Sequence, residues 1–149
     1  MATVQHSQEM TQTISLLTTT TGLVDIYLVA AAGEPEWIIP QNLVLAIDML
    51  EADATTAEWE GKPIMVQSLL ADDYEGVATL VVIEGQDDDH RIGLLTATAP
   101  KSIRIRISSL HDTNDSTVLP YAYQKVLLDQ QLYQVPDIDR LTAQLLKRK

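Results

Sequence analysis

The sequence predicts a mainly β protein, compact barrels or a sandwich, assembled from two subdomains built alike. Short runs rich in Val, Ile and Leu recur with turn residues between them, the pattern of many short strands. Little of the chain has helical periodicity. One short design also occurs twice, from Glu58 to Leu70 and from Leu128 to Leu141. Each copy has a polar turn, a short strand ending in Val (Val66, Val135) and a capping residue two positions later (Ser68, Asp137). A capping oxygen takes up a free N–H of the first helical turn, so each copy is expected to stop a strand and start a helix.

Residues 1–22 read as a polar lead-in, expected to be mobile, and residues 23–149 as the folded domain. Val24 to Ala31 is a strand by its β-branched and aliphatic content, closed by the turn Gly33-Glu34-Pro35. Glu36 to Ile39 is a second strand, halted by Pro40, which has no N–H to donate to a ladder. Leu43 to Leu50 is an apolar run whose type periodicity leaves open. Lys62 to Val66 is a strand, and Leu69-Leu70-Ala71 is expected to begin a brief helix behind Ser68. Val77 to Glu84 reads as a buried strand, and Gly85 to His90 as a hairpin loop returning through Arg91 to Ala97.

Ser102 to Ser108 alternates strictly, Ile103, Ile105 and Ile107 against Arg104 and Arg106, which predicts a half-buried strand. His111 to Thr117 is a loop, Ala122 to Leu128 a strand, and Asp129-Gln130 a tight reversal into Gln131 to Val135. A C-terminal helix follows, with Ile138, Leu141 and Leu145 on one stripe that should seal one end of a barrel. Lys147, Arg148 and Lys149 are expected in its last turn, where cations complement the helix dipole.

A chain of 149 residues forms one domain or two tightly joined halves, able to bury ~70% of the surface it exposes unfolded. With no Phe, two Trp and five Tyr, the core must be mostly aliphatic. A formal charge of −11 argues against binding nucleic acid, whose affinity comes from Lys and Arg displacing counterions. It argues equally against an anionic membrane surface. No apolar run approaches the ~20 residues that span a bilayer, so no membrane insertion is expected. Met1 to Thr13 carries no Lys or Arg, and Ile14-Ser15-Leu16-Leu17 is too short for a signal core, which makes a cytoplasmic location the expectation. The absence of cysteine excludes a disulfide framework, a thiolate nucleophile and a Cys-based zinc site.

Candidate chemical groups reduce to structural roles. Asp87-Asp88-Asp89 lacks the spaced Asp pattern, loop Gly and distal Glu of a calcium loop and reads as a solvated hairpin tip. Asp72-Asp73-Tyr74-Glu75 reads as an exposed loop. His6, His90 and His111 share no ligand spacing and fall in polar loops, as surface residues do. Asp137 and Asp139 sit where a helix cap and a dipole partner are wanted, not as a catalytic pair. The face of Arg104 and Arg106 could receive an acidic partner, but a solvated strand face is the expectation. No nucleophile elbow or phosphate-cradling glycine loop occurs. No catalytic, cofactor-binding or metal-binding residue is therefore assigned, and no enzyme activity is expected.

Four pieces carry a family resemblance. Trp37-Ile38-Ile39-Pro40-Gln41-Asn42-Leu43-Val44 is an apolar-Ile-Pro segment leading to a Val. Glu60-Gly61 is followed by Met65-Val66-Gln67-Ser68-Leu69; Arg91-Ile92-Gly93-Leu94-Leu95 carries a Gly-Leu pair; and Gln131 to Leu141 ends in Asp-x-Asp-Arg-Leu. In this order and spacing the chain, from about Leu23 to Leu145, resembles the CheW-like coupling domain of bacterial chemosensory systems. The departures fall on recognition residues. Glu60 stands where the family has a partner-contacting Arg, Ala46 where it has Glu in a Val-x-Glu pattern after Val44, and Thr96-Ala97 where it has Val-Asp. In this the chain is closer to the divergent accessory CheW-like proteins found beside type IV pilus (twitching) chemosensory systems.

The resemblance implies two intertwined, five-stranded, SH3-like β-barrels with few helices. It also implies a non-enzymatic adaptor, without cofactor, that docks a histidine kinase, a methyl-accepting receptor or a divergent chemosensory protein. The matched docking positions are Trp59, Glu60 and Gly61, with Val44 and Ala46. The inverted charge at Glu60 suits a partner with a basic patch. The alternatives are a small-molecule-binding β-barrel sensor and an enzyme whose residues carry no known pattern. An adaptor should expose an apolar patch of several hundred Å²; a sensor should hold a concave apolar cavity with a few convergent polar groups. For Trp37 and Trp59, packing is the expectation.

Overall fold

Aliphatic runs between turn residues become eleven strands among the described residues, and the tightest turns fix how they pair. The structure, a computed structural model, describes residues 22–113 and 122–147. The lead-in at residues 1–21, most of the loop expected at 111–117, and Arg148 and Lys149 lie outside them. The strands are β1 (Leu23–Val29), β2 (Glu36–Pro40), β3 (Val44–Glu51), β4 (Thr56–Trp59), β5 (Lys62–Ser68), β6 (Val77–Ile83), β7 (Ile92–Thr96), β8 (Lys101–Arg106), β9 (His111–Asp112), β10 (Ala122–Leu128) and β11 (Gln131–Pro136), followed by helix α1 (Ile138–Leu146).

Two sheets result, in the orders β8-β1-β2-β11-β10-β9 and β3-β6-β7-β5-β4. Read from β8 and from β3, both follow one scheme. An edge strand pairs antiparallel with the first strand of a pair (β1 or β6), which returns antiparallel (β2 or β7). That strand runs parallel to the next (β11 or β5), which closes a hairpin with the last (β10 or β4). The second unit uses five consecutive strands. The first takes two strands from the start of the described chain and the rest from after the second unit, a circular permutation of the same design. The first sheet departs from the expected five strands only by the two-residue β9, beside β10.

The repeated sequence design is thus one hairpin occurring once in each unit. Trp59 faces Lys62 across Glu60-Gly61, and Leu128 faces Gln131 across Asp129-Gln130. All four loop residues have positive φ, at 50°, 78°, 51° and 67°. This is the backbone of a type I′ turn, whose twist matches that of the flanking strands. The copies diverge after the strand. The Asp137 carboxylate accepts from the Arg140 N–H at 3.0 Å and starts α1 as expected. Ser68 starts no helix. Its Oγ accepts from the Leu70 N–H at 3.2 Å, a local turn. Leu69 meanwhile donates its N–H to Leu95 (2.8 Å) and accepts from Ala32 (2.9 Å), so its backbone is committed to neighbouring strands.

Alternation sorts the apolar side chains into three cores. Val24, Ile26, Ile38, Val126 and Val135 lie within the first unit. Ile64, Val66, Ala78, Leu80 and Val82 lie within the second. The third core joins the units: Val29, Trp37 and Ile39 meet Val81, Ile83, Ile92 and Leu94, with Leu141 and Leu145 of α1. β7 and the second half of β6, Leu80 to Ile83, are covered on both faces, which is why both are apolar there. Gly93 belongs to this crowding, since a Cβ there would meet Leu80 Cδ1 at 2.7 Å.

Several expectations change. Helix α1 sits in the seam between the units rather than sealing the end of one barrel. It ends at Leu146 with Lys147 as its C-cap, so no described basic residue lies in its last turn. Glu58 and Trp59, expected at the start of a polar turn, belong instead to the strand Thr56–Trp59. The strand expected to reach Ser108 gives way to a 3₁₀ turn at Ile107–Ser109. The ambiguous run from Leu43 resolves as a 3₁₀ turn, Gln41–Leu43, leading into β3.

Leu141 is fully buried in the seam. Leu141→Ala is therefore expected to cost ~2–5 kcal/mol, read as a lowered denaturant midpoint; an unchanged midpoint would mean that the helix does not dock. Gln130 holds a left-handed conformation that costs a non-glycine residue ~1–2 kcal/mol, partly offset by the looser unfolded chain of a glycine variant. Gln130→Gly should raise the midpoint, by ~0.5–1 kcal/mol in stability. A lowered midpoint would contradict the turn geometry.

Candidate docking surface

The five expected docking residues all fall on the second sheet, in two groups. Trp59 ends β4, half-buried against the inner core of the second unit, with its indole Nε1–H buried and without a hydrogen-bond partner among the described residues. Glu60 and Gly61 form the turn that follows. Glu60 is exposed but does not stand alone: its Oε2 lies 3.4 Å from Nη1 of Arg91, whose Nε is 3.1 Å from Glu84 Oε1. Lys62 reaches Asp89 at 3.4 Å. Two ion pairs thus tie the β4–β5 hairpin to the loop before β7.

That loop is self-organised. Asp87 accepts from the Asp89 N–H at 2.9 Å and pairs with His90 Nδ1 at 2.6 Å. The His90 contact, foremost, holds the Asp87 carboxyl below the usual carboxylate range. On the first sheet, Arg104 donates to Asp25 at 2.8 and 3.4 Å and lowers its pKa in turn, so this arginine has a partner within its own unit.

Val44 and Ala46 lie on β3, at the opposite edge of the sheet from β4. In an unbroken strand they would share a face. A register irregularity between them separates their roles: Val44 pairs with Ile83 and packs on the seam, while Ala46 pairs with Val82 and packs on the inner core. The inner core is what Ala46 and Trp59 have in common.

Sequence reasoning missed an exposed apolar surface on the same strand. Ile47, Met49 and Val77 are 43%, 68% and 46% exposed. The register sets Ile47 opposite Val81, Met49 opposite Thr79 and Glu51 opposite Val77, so these side chains share the outward face of β3 and β6. Ile47 and Met49 were hidden in an apolar run of undecided type, and Val77 in a strand expected to be buried. Beyond Glu51 the face meets an open groove of about 400 Å³ lined by Asp53, Asp72, Tyr74 and Glu75, with no basic residue. Residues 44–96 hold twelve Asp and Glu against two Lys and Arg, a net −10 out of the chain's −11.

Two further cavities lie among the described residues. An apolar cavity of about 20 Å³ lies in the first unit between Ile26, Ile38, Ile105 and Val135, far below the ~300–1,000 Å³ of ordinary ligand sites. One of about 200 Å³ lies beside α1, near Gln86, His90 and Asp139. Among the described residues no three His, Cys, Asp or Glu side chains are grouped to hold a metal ion, and no helix is long and apolar enough to cross a membrane.

No protein-family model matches the sequence, and no curated protein matches it. The fold has a solved counterpart. The chain is similar to the crystal structure of the scaffolding protein TtCheW from Thermoanaerobacter tengcongensis, with a TM-score of 0.55 and 15% identity over 76% of this chain and 88% of that one. What the two share is the fold, two curled β units with a C-terminal helix.

Proposed function

We propose that this chain is a non-enzymatic adaptor of chemosensory signal transduction, docking a histidine kinase, a methyl-accepting receptor or a divergent counterpart of either. The observation that carries the reading is the architecture, which accounts for 88% of a protein described as a scaffold. The four sequence motifs add to it, each placed at a turn, strand or cap of that architecture. The adaptor works in the cytoplasm, where such kinases signal, and its departures at Ala46, Glu60 and Thr96-Ala97 suit an accessory, pilus-type system. The small-molecule sensor has less support: the apolar cavity of about 20 Å³ described in the first unit could admit little more than a water molecule.

Calorimetry against the kinase and receptor encoded nearest to this gene tests the proposal. Saturable binding without turnover is the expected result; failure of the folded protein to bind either would remove the adaptor reading.

Glu60→Arg separates fold from recognition. It would set two arginines together where Glu60 and Arg91 now pair at 3.4 Å. Glu60 is exposed, and Arg91, though largely buried, keeps Glu84 at 3.1 Å, so a modest drop in the urea midpoint is expected. Binding to the native partner should weaken and docking to a standard chemotaxis kinase should improve, since like charges at an interface cost several kcal/mol. Equal binding of parent and variant to both proteins would show that position 60 lies outside the docking surface.

A further inference from the structure

The outward face of β3 and β6 begins as core and ends in solvent. At Val44, Val81 and Ile83 it packs against the first unit and α1. Further along the same two strands it continues through Ile47, Met49 and Val77, exposed among the described residues. Scattered exposed apolar residues are ordinary; three on one face, continuous with a buried seam, form a patch. β3 is also an edge strand, where unpaired N–H groups could recruit another strand. One such donor is occupied, as the Met49 N–H binds the neighbouring Asp48 carboxylate at 2.8 Å. The side-chain face, more than the backbone edge, is therefore what this strand offers.

Charge selects the occupant. The patch is bounded by Glu51 and opens on the groove with Asp53, Asp72 and Glu75, within the unit that carries nearly all the negative charge. A second copy would bring the same carboxylates face to face. The chain's own first 21 residues hold one Glu and no Lys or Arg, so they offer no complementary charge. We infer that the Ile47–Met49–Val77 face is a docking surface for a partner protein whose contact region has an apolar centre ringed by Lys and Arg. This rests on the adaptor reading and adds a surface at the sheet edge away from the Glu60 turn.

The test uses the full chain, with the neighbouring kinase and receptor as probes. Two variants are compared with the parent: Ile47→Ser with Met49→Ser, and Glu51→Lys with Asp53→Lys. The substituted residues are exposed or at a turn, and a denaturation midpoint for each variant checks folding. Parent binding should weaken as salt rises. The serine variant should lose ~10-fold or more in affinity, as removal of apolar anchors does. The lysine variant should bind more weakly and with less salt dependence. If the parent binds a probe and both folded variants bind it equally well, the surface is wrong and the adaptor reading survives. If the parent binds neither probe, both fail together. A dimer in sedimentation that the serine variant abolishes would assign the face to a second copy. Tighter probe binding after removal of residues 2–21 would assign it to the chain's own lead-in; either result overturns the proposal.

Discussion

Everything in this structure depends on the seam between the two units. Each sheet curls around its own small core, yet neither core is large. The first is built from aliphatic residues and Tyr133, the second from little more than Ile64, Val66, Ala78, Leu80, Val82 and Leu95. The outer faces of both sheets are apolar as well, and they meet at Trp37, Ile39, Val81, Ile83 and Leu94, with α1 laid across them. Small units bury too small a fraction of their surface to be robust alone. Two polar contacts cross the seam: the buried Thr96 hydroxyl donates to the Ala30 carbonyl at 2.6 Å, and the Ala32 N–H to Leu69 at 2.9 Å, while the buried Thr142 hydroxyl has no hydrogen-bond partner among the described residues. The Gln134 amide reaches Glu34 at 2.8 Å, which ties the β1–β2 turn to β11.

The permuted connectivity makes that seam obligatory. The chain lays down β1 and β2, builds the whole second unit, and only then supplies β8, β10 and β11 to complete the first. The β2–β11 contact joins Trp37 to Gln134 across most of the described chain. Loop closure must precede such pairing, so folding is expected to start in the second unit, whose five strands are consecutive, and to finish with the first. Asp137 then starts the helix at the point where β11 leaves the sheet, which brings Leu141 and Leu145 onto the seam last.

Local chemistry was legible in the sequence, and non-local pairing was not. The two I′ turns, the Asp137 cap and the alternation around Ile105 depend on neighbours a few residues away, and each was readable. Ser68 looked like Asp137, but its fate was decided by Leu69, whose backbone bonds go to Ala32 and Leu95, residues remote in sequence. Thr56–Trp59 carries too few apolar residues to show a strand, and becomes one because β5 lies beside it. The same limit hid most of the proposed docking surface. Nothing near Glu60 foretold Arg91, 31 residues away. The irregularity that turns Ala46 inward while Val44 faces the seam has no marker such as Gly at that point.

The uneven charge follows from what this fold can vary. The seam and the inner cores hold most of the large aliphatic side chains, so they cannot change without loss of stability. The exposed turns and edges can change freely, because surface charges alter folding by only a few tenths of a kcal/mol. In this chain that freedom has been used on one unit: residues 44–96 are close to −10 while the remainder is nearly neutral. A uniformly acidic molecule would repel or attract without regard to orientation. A molecule with one acidic unit and one neutral unit would present its acidic unit first to a basic partner of the kind proposed, since steering acts before contact. On the proposed docking surface, apolar contact at the uncovered part of β3 and β6 would then hold what the charge had oriented, and that face continues through Val44, Val81 and Ile83 into the seam.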